Sequence, residues 1–199
     1  GHERRFENGW QKLKELVSSN SLGTIMYAEA HFNHDKLAGL SPDNWRADPK
    51  VAPAAGMTAM GVHLSDLMIW LFGSVDNVFA STSKRILKFK TGDVVTASLL
   101  HKSGLSTQIT AILKTPHYQR VTVFGDKGWA ELTDSSHPDT PGDSELVVRM
   151  NNGKIKKNSL KWKDTVSANI NNFVNAIYGK KKYIFTDEEK YQNVAILDA

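Results

Sequence analysis

From Asn8 to Ser19, apolar Trp10, Leu13, Leu16 and Val17 recur at helical spacing and predict an amphipathic helix. Gly23 ends the connection that follows. Thr24 to Phe32 then alternates as a strand does, with Ile25, Tyr27 and the small Ala28 and Ala30. Between Asn33 and Gly56 no period is sustained, and Pro42, Pro49 and Pro53 interrupt any helix. An irregular stretch of that length inside a compact domain is usually functional or disordered. A second helix is expected from Thr58, as N-cap, through Phe72, with Gly73 closing it. It is apolar nearly all round, so it should be buried, yet it carries His63 and Asp66. Burying both costs several kcal/mol unless they are paired or face a wet cleft.

After Gly73 the period changes to two. Val75 to Leu87, Val94 to Lys102 and Leu105 to Lys114 are rich in Val, Thr, Ser and Ile, and Lys102-Ser103-Gly104 joins the last two as a tight hairpin. Val121 to Phe124 and Trp129 to Leu132 bracket Gly125-Asp126-Lys127-Gly128. Leu146 to Met150 and Ile155 to Leu160 bracket Asn151-Asn152-Gly153. Turns this short imply antiparallel neighbours. Thr133 to Asp143, polar and proline-containing, is expected to be an exposed loop. Two helices follow. Asp164 to Tyr178 sets Val166, Ile170, Phe173, Val174 and Ile177 on one face, and Thr186-Asp187-Glu188-Glu189 is a capping box that opens the last helix. That helix has no stop signal and the first begins close to Gly1, so both ends read as cut from a longer polypeptide. The expected fold class is α+β: an open, mainly antiparallel sheet of about six to eight strands with helices packed on one face, forming a single domain over 1–199.

Composition narrows the function classes. Among the 199 residues, the charged share of 23% and hydrophobic share of 40% are those of a globular protein. No apolar run approaches the roughly 20 residues of a membrane span, so no membrane partner is expected. There is no cysteine, which excludes a disulfide scaffold and thiolate metal ligation and fits a cytoplasmic location. The net charge is +4. Its densest contributors, Lys154 to Lys163 and Lys180 to Lys182, lack interleaved aromatics and read as solvated surface rather than a nucleic-acid groove.

The candidate chemistry is concentrated on the Thr58–Phe72 helix. Ala59, His63, Asp66, Leu67 and Trp70 share a face, which puts His63 one turn from Asp66. A carboxylate beside an imidazole raises its basicity and orients it, as a general acid/base requires. The alternative is a core histidine bonded to backbone, with Asp66 capping a backbone group or paired with an arginine. Trp45-Arg46 is either a substrate clamp or a stacked pair anchoring its loop. Arg4-Arg5 reads by itself as solvated charge, and His117 at the start of a strand is a weaker candidate. His31 and His34 stand three apart, so on a strand they point to opposite faces and no metal site is expected. No G-x-S-x-G, Walker loop or G-x-G-x-x-G occurs.

Several stretches, in order, resemble the C-terminal domain of the Gfo/Idh/MocA oxidoreductases, the glucose-fructose oxidoreductase and inositol dehydrogenase relatives. Gly1 to Phe6 is similar to the segment leaving their nucleotide-binding domain, and Leu13 to Ile25 to their linking helix and "G-x-LG-x-I" entry to the sheet. Trp45-Arg46-Ala47-Asp48-Pro49 with Gly56 is similar to "WR-x-DP…GG". Gly61 to Gly73 is similar to "G-V-H-x-x-D-x-x-x-W-L-x-G", and Val123 to Gly128 to "V-x-G-x-K-G". The resemblance implies a GAPDH C-terminal-domain-like fold and an NAD(P)-dependent dehydrogenase acting on a sugar, cyclitol or polyol. NAD or NADP would be bound by an N-terminal Rossmann domain that this chain lacks, together with the lysine of the family's E-K-P motif, so the chain alone should be inactive. It also implies dimers or tetramers formed through the sheet face. His63 would be the catalytic histidine, with Arg4, Arg5, Trp45, Arg46, Asp66 and His117 on the substrate side. One departure stands out: where many members carry an aspartate four residues before the histidine, this chain has Ala59. Asp66 compensating, the absent lysine acting alone, or a non-catalytic sugar-sensing or assembly module are the competing explanations.

Overall fold

A computed structural model describes residues 2–41, 43–52, 54 and 56–199. Gly1, Pro42 and Pro53, which enter the sequence readings above, lie outside the described residues.

Eight strands form one sheet in the order β2-β3-β4-β1-β5-β6-β7-β8. They are β1 (Ile25–Asn33), β2 (Val75–Ser83), β3 (Val94–His101), β4 (Ser106–Ile112), β5 (Tyr118–Gly125), β6 (Gly128–Asp134), β7 (Ser144–Met150) and β8 (Ile155–Leu160). Each predicted hairpin is present, and six of the seven neighbouring strand pairs are antiparallel. The exception involves β1, inserted between β4 and β5: it runs antiparallel to β5, with Ala30 opposite Val121, but parallel to β4, with Ala30 opposite Ile109.

One face is apolar. Ala28, Ala30 and Phe32 of β1 meet Val95, Ala97 and Leu99 of β3, Ile109 and Ala111 of β4, Val121 and Val123 of β5, and Ala130 and Leu132 of β6 in a single buried cluster. The small alanines let α2 (Val62–Phe72) approach closely, and Leu64, Leu67, Met68 and Ile69 complete the core. α1 (Asn8–Ser18) covers the β6–β7 end with Trp10 and Leu13, and α4 (Asp187–Asp198) packs on α2 and β2. The capping box at Thr186 forms as expected, with Glu189 reaching back to the Thr186 amide at 2.9 Å. Gly73 ends α2 at φ +87°, a conformation that favours glycine.

Two expectations need correction. The second helix does not start at an N-cap on Thr58. Met57–Gly61 is a π-helical turn, with the Gly61 amide donating to Gly56 O at 3.0 Å, and α-geometry begins at Val62. In addition, the apolar stripe of α3 (Thr165–Ile177) does not pack on the sheet. Ile170 and Ile177 are 57% and 66% exposed, and Val166, Phe173 and Val174 are exposed too. The opposite flank of α3 is held by polar contacts, Tyr183 Oη to Asn169 Oδ1 at 2.9 Å and the Ile184 amide to Asn172 Oδ1 at 3.1 Å.

Candidate active site

A cleft of about 220 Å³ opens where the N-terminal segment, the end of β1, the π-helical turn, the β6–β7 loop and the start of α3 converge. His63 lines it with Ala59, Arg4, Phe32, His34 and His137, and Thr165 and Val166 form its α3 side. The wide π turn sets Ala59 and His63 into the same wall although α-register begins only at Val62. Burial, reinforced by Arg4, His2 and His137, pushes the His63 pKa down to about 3, so the ring is neutral near pH 7. Its Nδ1 is enclosed and has no hydrogen-bond partner among the described residues. His34 is pushed down to about 4 by burial and by His137, whose ring centroid lies 4.9 Å away.

Arg4 and Arg5 are not solvated charge, as the pair reads in isolation: both are 0% exposed. Their counter-ions arrive from distant segments. Arg4 Nε donates to Glu7 Oε1 at 2.8 Å and its Nη2 lies 3.4 Å from Asp134, while the guanidinium sits 4.7 Å over the Phe32 ring. Burial raises the pKa of both Glu7 and Asp134, and Arg4 opposes that rise. Arg4 Nη1 has no hydrogen-bond partner among the described residues. Arg5 makes a two-pronged pair with Asp66, Nε to Oδ2 at 2.9 Å and Nη2 to Oδ1 at 2.7 Å. Its Nη1 lies 3.1 Å from Glu189, a charge contact without hydrogen-bond alignment.

Asp66 therefore serves Arg5 and makes no hydrogen bond to His63, so the adjacency expected from helical spacing does not become a dyad. Arg5 and Asp66 are absent from the cleft lining; Arg4 is in it. Trp45 and Arg46 are also outside it. Arg46 stacks 4.2 Å over the Trp45 ring, Asn44 Oδ1 accepts from the Arg46 amide, and Trp45 is 47% exposed. His117 stands 6.2 Å from His137, next to the cleft rather than in it.

Sequence reasoning missed two cleft residues, His34 and His137. His34 follows the last residue of β1 and faces the cleft, while His31 points to the other sheet face against Tyr118, so the two do not converge. Among the described residues no group of three or more His, Asp or Glu side chains could hold a metal ion. His137 lies in the loop expected to be exposed. That loop is instead drawn onto the cleft by Lys36 Nζ to Asp139 at 2.9 Å and Trp162 Nε1 to Pro138 O at 3.1 Å. Nothing periodic marks it in the sequence.

Comparison with known proteins agrees with this architecture. The sequence profile of the GFO/IDH/MocA C-terminal domain matches residues 10–131, more than half of the chain. The chain belongs to the Gfo/Idh/MocA family. Among curated Gfo/Idh/MocA-like relatives, the uncharacterized oxidoreductase YhhX of Escherichia coli K12 is 28% identical over 130 residues, 63% of this chain and 34% of YhhX. Among solved structures, one from Desulfitobacterium hafniense DCB-2, provisionally assigned as an NADPH-dependent oxidoreductase, superposes with a TM-score of 0.88 at 21% identity, over 100% of this chain and 60% of that one. Levoglucosan dehydrogenase in complex with NADH and levoglucosan gives 0.81 at 17% identity, over 99% and 61%. The chain thus spans about a third of the curated relative and about three fifths of the solved ones, and it is an oxidoreductase-family domain. No Rossmann unit occurs among the described residues, and no helix there is long and apolar enough to cross a membrane.

Proposed function

We propose that this chain is the substrate-facing domain of an NAD(P)-dependent dehydrogenase that interconverts a secondary alcohol and a carbonyl on a sugar, cyclitol or related polyol. The observation that carries the reading is the neutral imidazole of His63, set in the wall of a cleft beside Arg4, His34 and His137. A burial-suppressed pKa keeps an imidazole uncharged and able to exchange one hydrogen bond with a hydroxyl or carbonyl oxygen. Neutral His34 and His137 suit a polyhydroxylated and uncharged ligand.

The residues of this chain do not fit the dinucleotide itself: no G-x-G-x-x-G occurs, and the described residues contain no strand-to-helix phosphate cradle. The nucleotide, NAD or NADP, is assigned to a further domain of a longer polypeptide. The exposed stripe of α3 supports this, because it continues from Thr165 and Val166 at the cleft rim and would give such a lobe an apolar seat. His63 then holds or donates the proton at the reacting oxygen, the buried Arg4 charge stands behind the cleft wall, and closure against the second lobe excludes water. Arg5 and Asp66 support Arg4 and α2 rather than touching substrate, and the Trp45-Arg46 pair holds the long loop.

The sheet face opposite the helices carries a Tyr27–Phe124 stack (centroids 6.2 Å) and the Arg120–Glu29–Glu131 ion cluster, features suited to a homo-oligomer contact. A cytoplasmic location goes with this reading. A second reading, a non-catalytic sugar-sensing module, is favoured by one finding: with Ala59 in place and Asp66 held by Arg5, no carboxylate reaches His63. The deciding experiment is nicotinamide-linked turnover by the polypeptide carrying its upstream segment, on a panel of sugars and cyclitols. Turnover supports the dehydrogenase. Sugar binding without turnover on any panel member supports the sensor.

A further inference from the structure

The ring nearest to His63 is another histidine. His2 meets it edge to face, with centroids 5.6 Å apart and planes at 79°. His2 is itself pinned. Its Nε2 lies 3.1 Å from Nδ2 of Asn193, a buried residue of α4. The orientation of that amide follows from its other neighbours: Nδ2 also donates to Val62 O at 3.1 Å, and Oδ1 accepts from Ser65 Oγ. A flipped amide would set oxygen against the Val62 carbonyl. Nδ2 can only donate, so His2 Nε2 is the acceptor, and a neutral His2 carries its one proton on Nδ1. Burial favours that neutral form.

His2 Nδ1–H is thus a buried donor with no partner among the described residues, and His63 Nδ1 is a buried ring nitrogen in the same position. The two rings touch edge to face, and although their Nδ1 atoms do not meet hydrogen-bond geometry in the structure, each left unpaired costs about 1–3 kcal/mol, so a small ring rotation that joins them is favoured. We infer that His2 is the positioning residue for His63: it donates Nδ1–H to His63 Nδ1 and fixes His63 as the Nε2–H tautomer. The chain of contacts runs Ser65, Asn193, His2, His63, and it occupies the role left vacant by Ala59 and by the engagement of Asp66 with Arg5. Its consequence is directional. With Nδ1 accepting, Nε2 meets a ligand in the cleft as a donor, suited to a carbonyl oxygen or a developing alkoxide. A carboxylate at position 59 would instead favour the Nδ1–H form and leave Nε2 as an acceptor. The His2 tautomer follows from its contact with Asn193 and the His63 tautomer from the proposed bond, while its use rests on the dehydrogenase reading above.

The test is a long-range proton–nitrogen correlation spectrum of the protein labelled with ¹⁵N-histidine, near pH 7, where the pattern of couplings distinguishes the two tautomers. His63 is expected predominantly as Nε2–H and His2 as Nδ1–H. Asn193→Leu removes the amide that donates to His2 Nε2, so the His2 proton is no longer held on Nδ1 and the Nε2–H bias of His63 should fall, while His101, held by Gly73 O, keeps its tautomer. Should that variant fail to fold, His2→Phe keeps the edge contact and removes the donor, and His63 should lose its tautomer bias. A predominantly Nδ1–H His63 in the unaltered protein, or a tautomer indifferent to both substitutions, overturns the inference and leaves the dehydrogenase reading standing. The expected tautomer without turnover on any substrate does the reverse.

Discussion

Removing the carboxylate of Asp66 should be among the most damaging single changes in the protein, while removing both it and Arg5 should cost less. Arg5 is 0% and Asp66 2% exposed, so neither charge is screened by solvent. Their two hydrogen bonds of 2.7 and 2.9 Å offset a desolvation cost large enough that burial still raises the Asp66 pKa despite Arg5. Asp66→Asn keeps the shape but leaves the guanidinium with Glu189 alone, at 3.1 Å and poorly aligned. At an effective dielectric near 20 a unit pair about 4 Å apart is worth about 4 kcal/mol, and breaking buried pairs typically costs about 3–5 kcal/mol. Arg5→Met with Asp66→Leu removes both charges together and should lie within about 2 kcal/mol of the parent. Urea unfolding at pH 7 measures this: with m near 2 kcal/mol/M the single variant should lose roughly 2 M in midpoint, and the double variant no more than about 1 M. A single-variant loss below about 1 kcal/mol would mean that water reaches the pair, and the reasoning would fail.

Ala59→Asp places a carboxylate one turn before His63 in the cleft wall, and turnover of the intact polypeptide in the oxidising direction is expected to stay level or rise; a large loss would mean that substrate uses that space. His34 has a folded pKa of about 4 against 6.5 in the unfolded chain, so its contribution to stability is full above about pH 6.5 and is lost as pH falls through 4. His34→Gln should therefore flatten the acid limb of the stability curve by up to about 1.4 kcal/mol per pH unit, checked by urea midpoints across that window; parallel curves would contradict it. Ile170→Glu with Ile177→Glu on the exposed stripe of α3 should change stability by no more than about 0.5 kcal/mol but weaken attachment of the second lobe, read as increased proteolytic separation of the halves. A large loss of stability in the domain alone would show that the stripe is core.

Most of the sheet is legible in the sequence because its signals are local. The alternation of β3 and β4 and the turns at Ser103-Gly104, Asp126-Lys127 and Asn152-Gly153 fix neighbours a few residues apart. The parallel pairing of β1 with β4 is not legible, since about eighty residues separate Ala30 from Ile109 and no local pattern encodes it. Arg4 and Arg5 show the same limit. Two adjacent cations read as surface until Asp66 and Asp134, 61 and 130 positions away, are folded against them. His63 was legible as a polar intruder on an apolar helix. Its partner was not, because helical spacing favoured Asp66 and could not reveal that Arg5 occupies it. His34 and His137 come from a strand end and a loop, where there is no period to read. The stripe of α3 is legible as apolar, but its exposure is not, because an apolar face in the sequence ordinarily signals burial.

On the proposed reading, the imidazole at position 63 acts on the reacting oxygen. Steady-state turnover of His63→Ala against the parent, in the polypeptide that carries the nucleotide-binding segment, tests it most directly. The expected result is a fall in kcat by about 10² to 10⁴ with the fold intact. Unchanged turnover on the same substrate would contradict it.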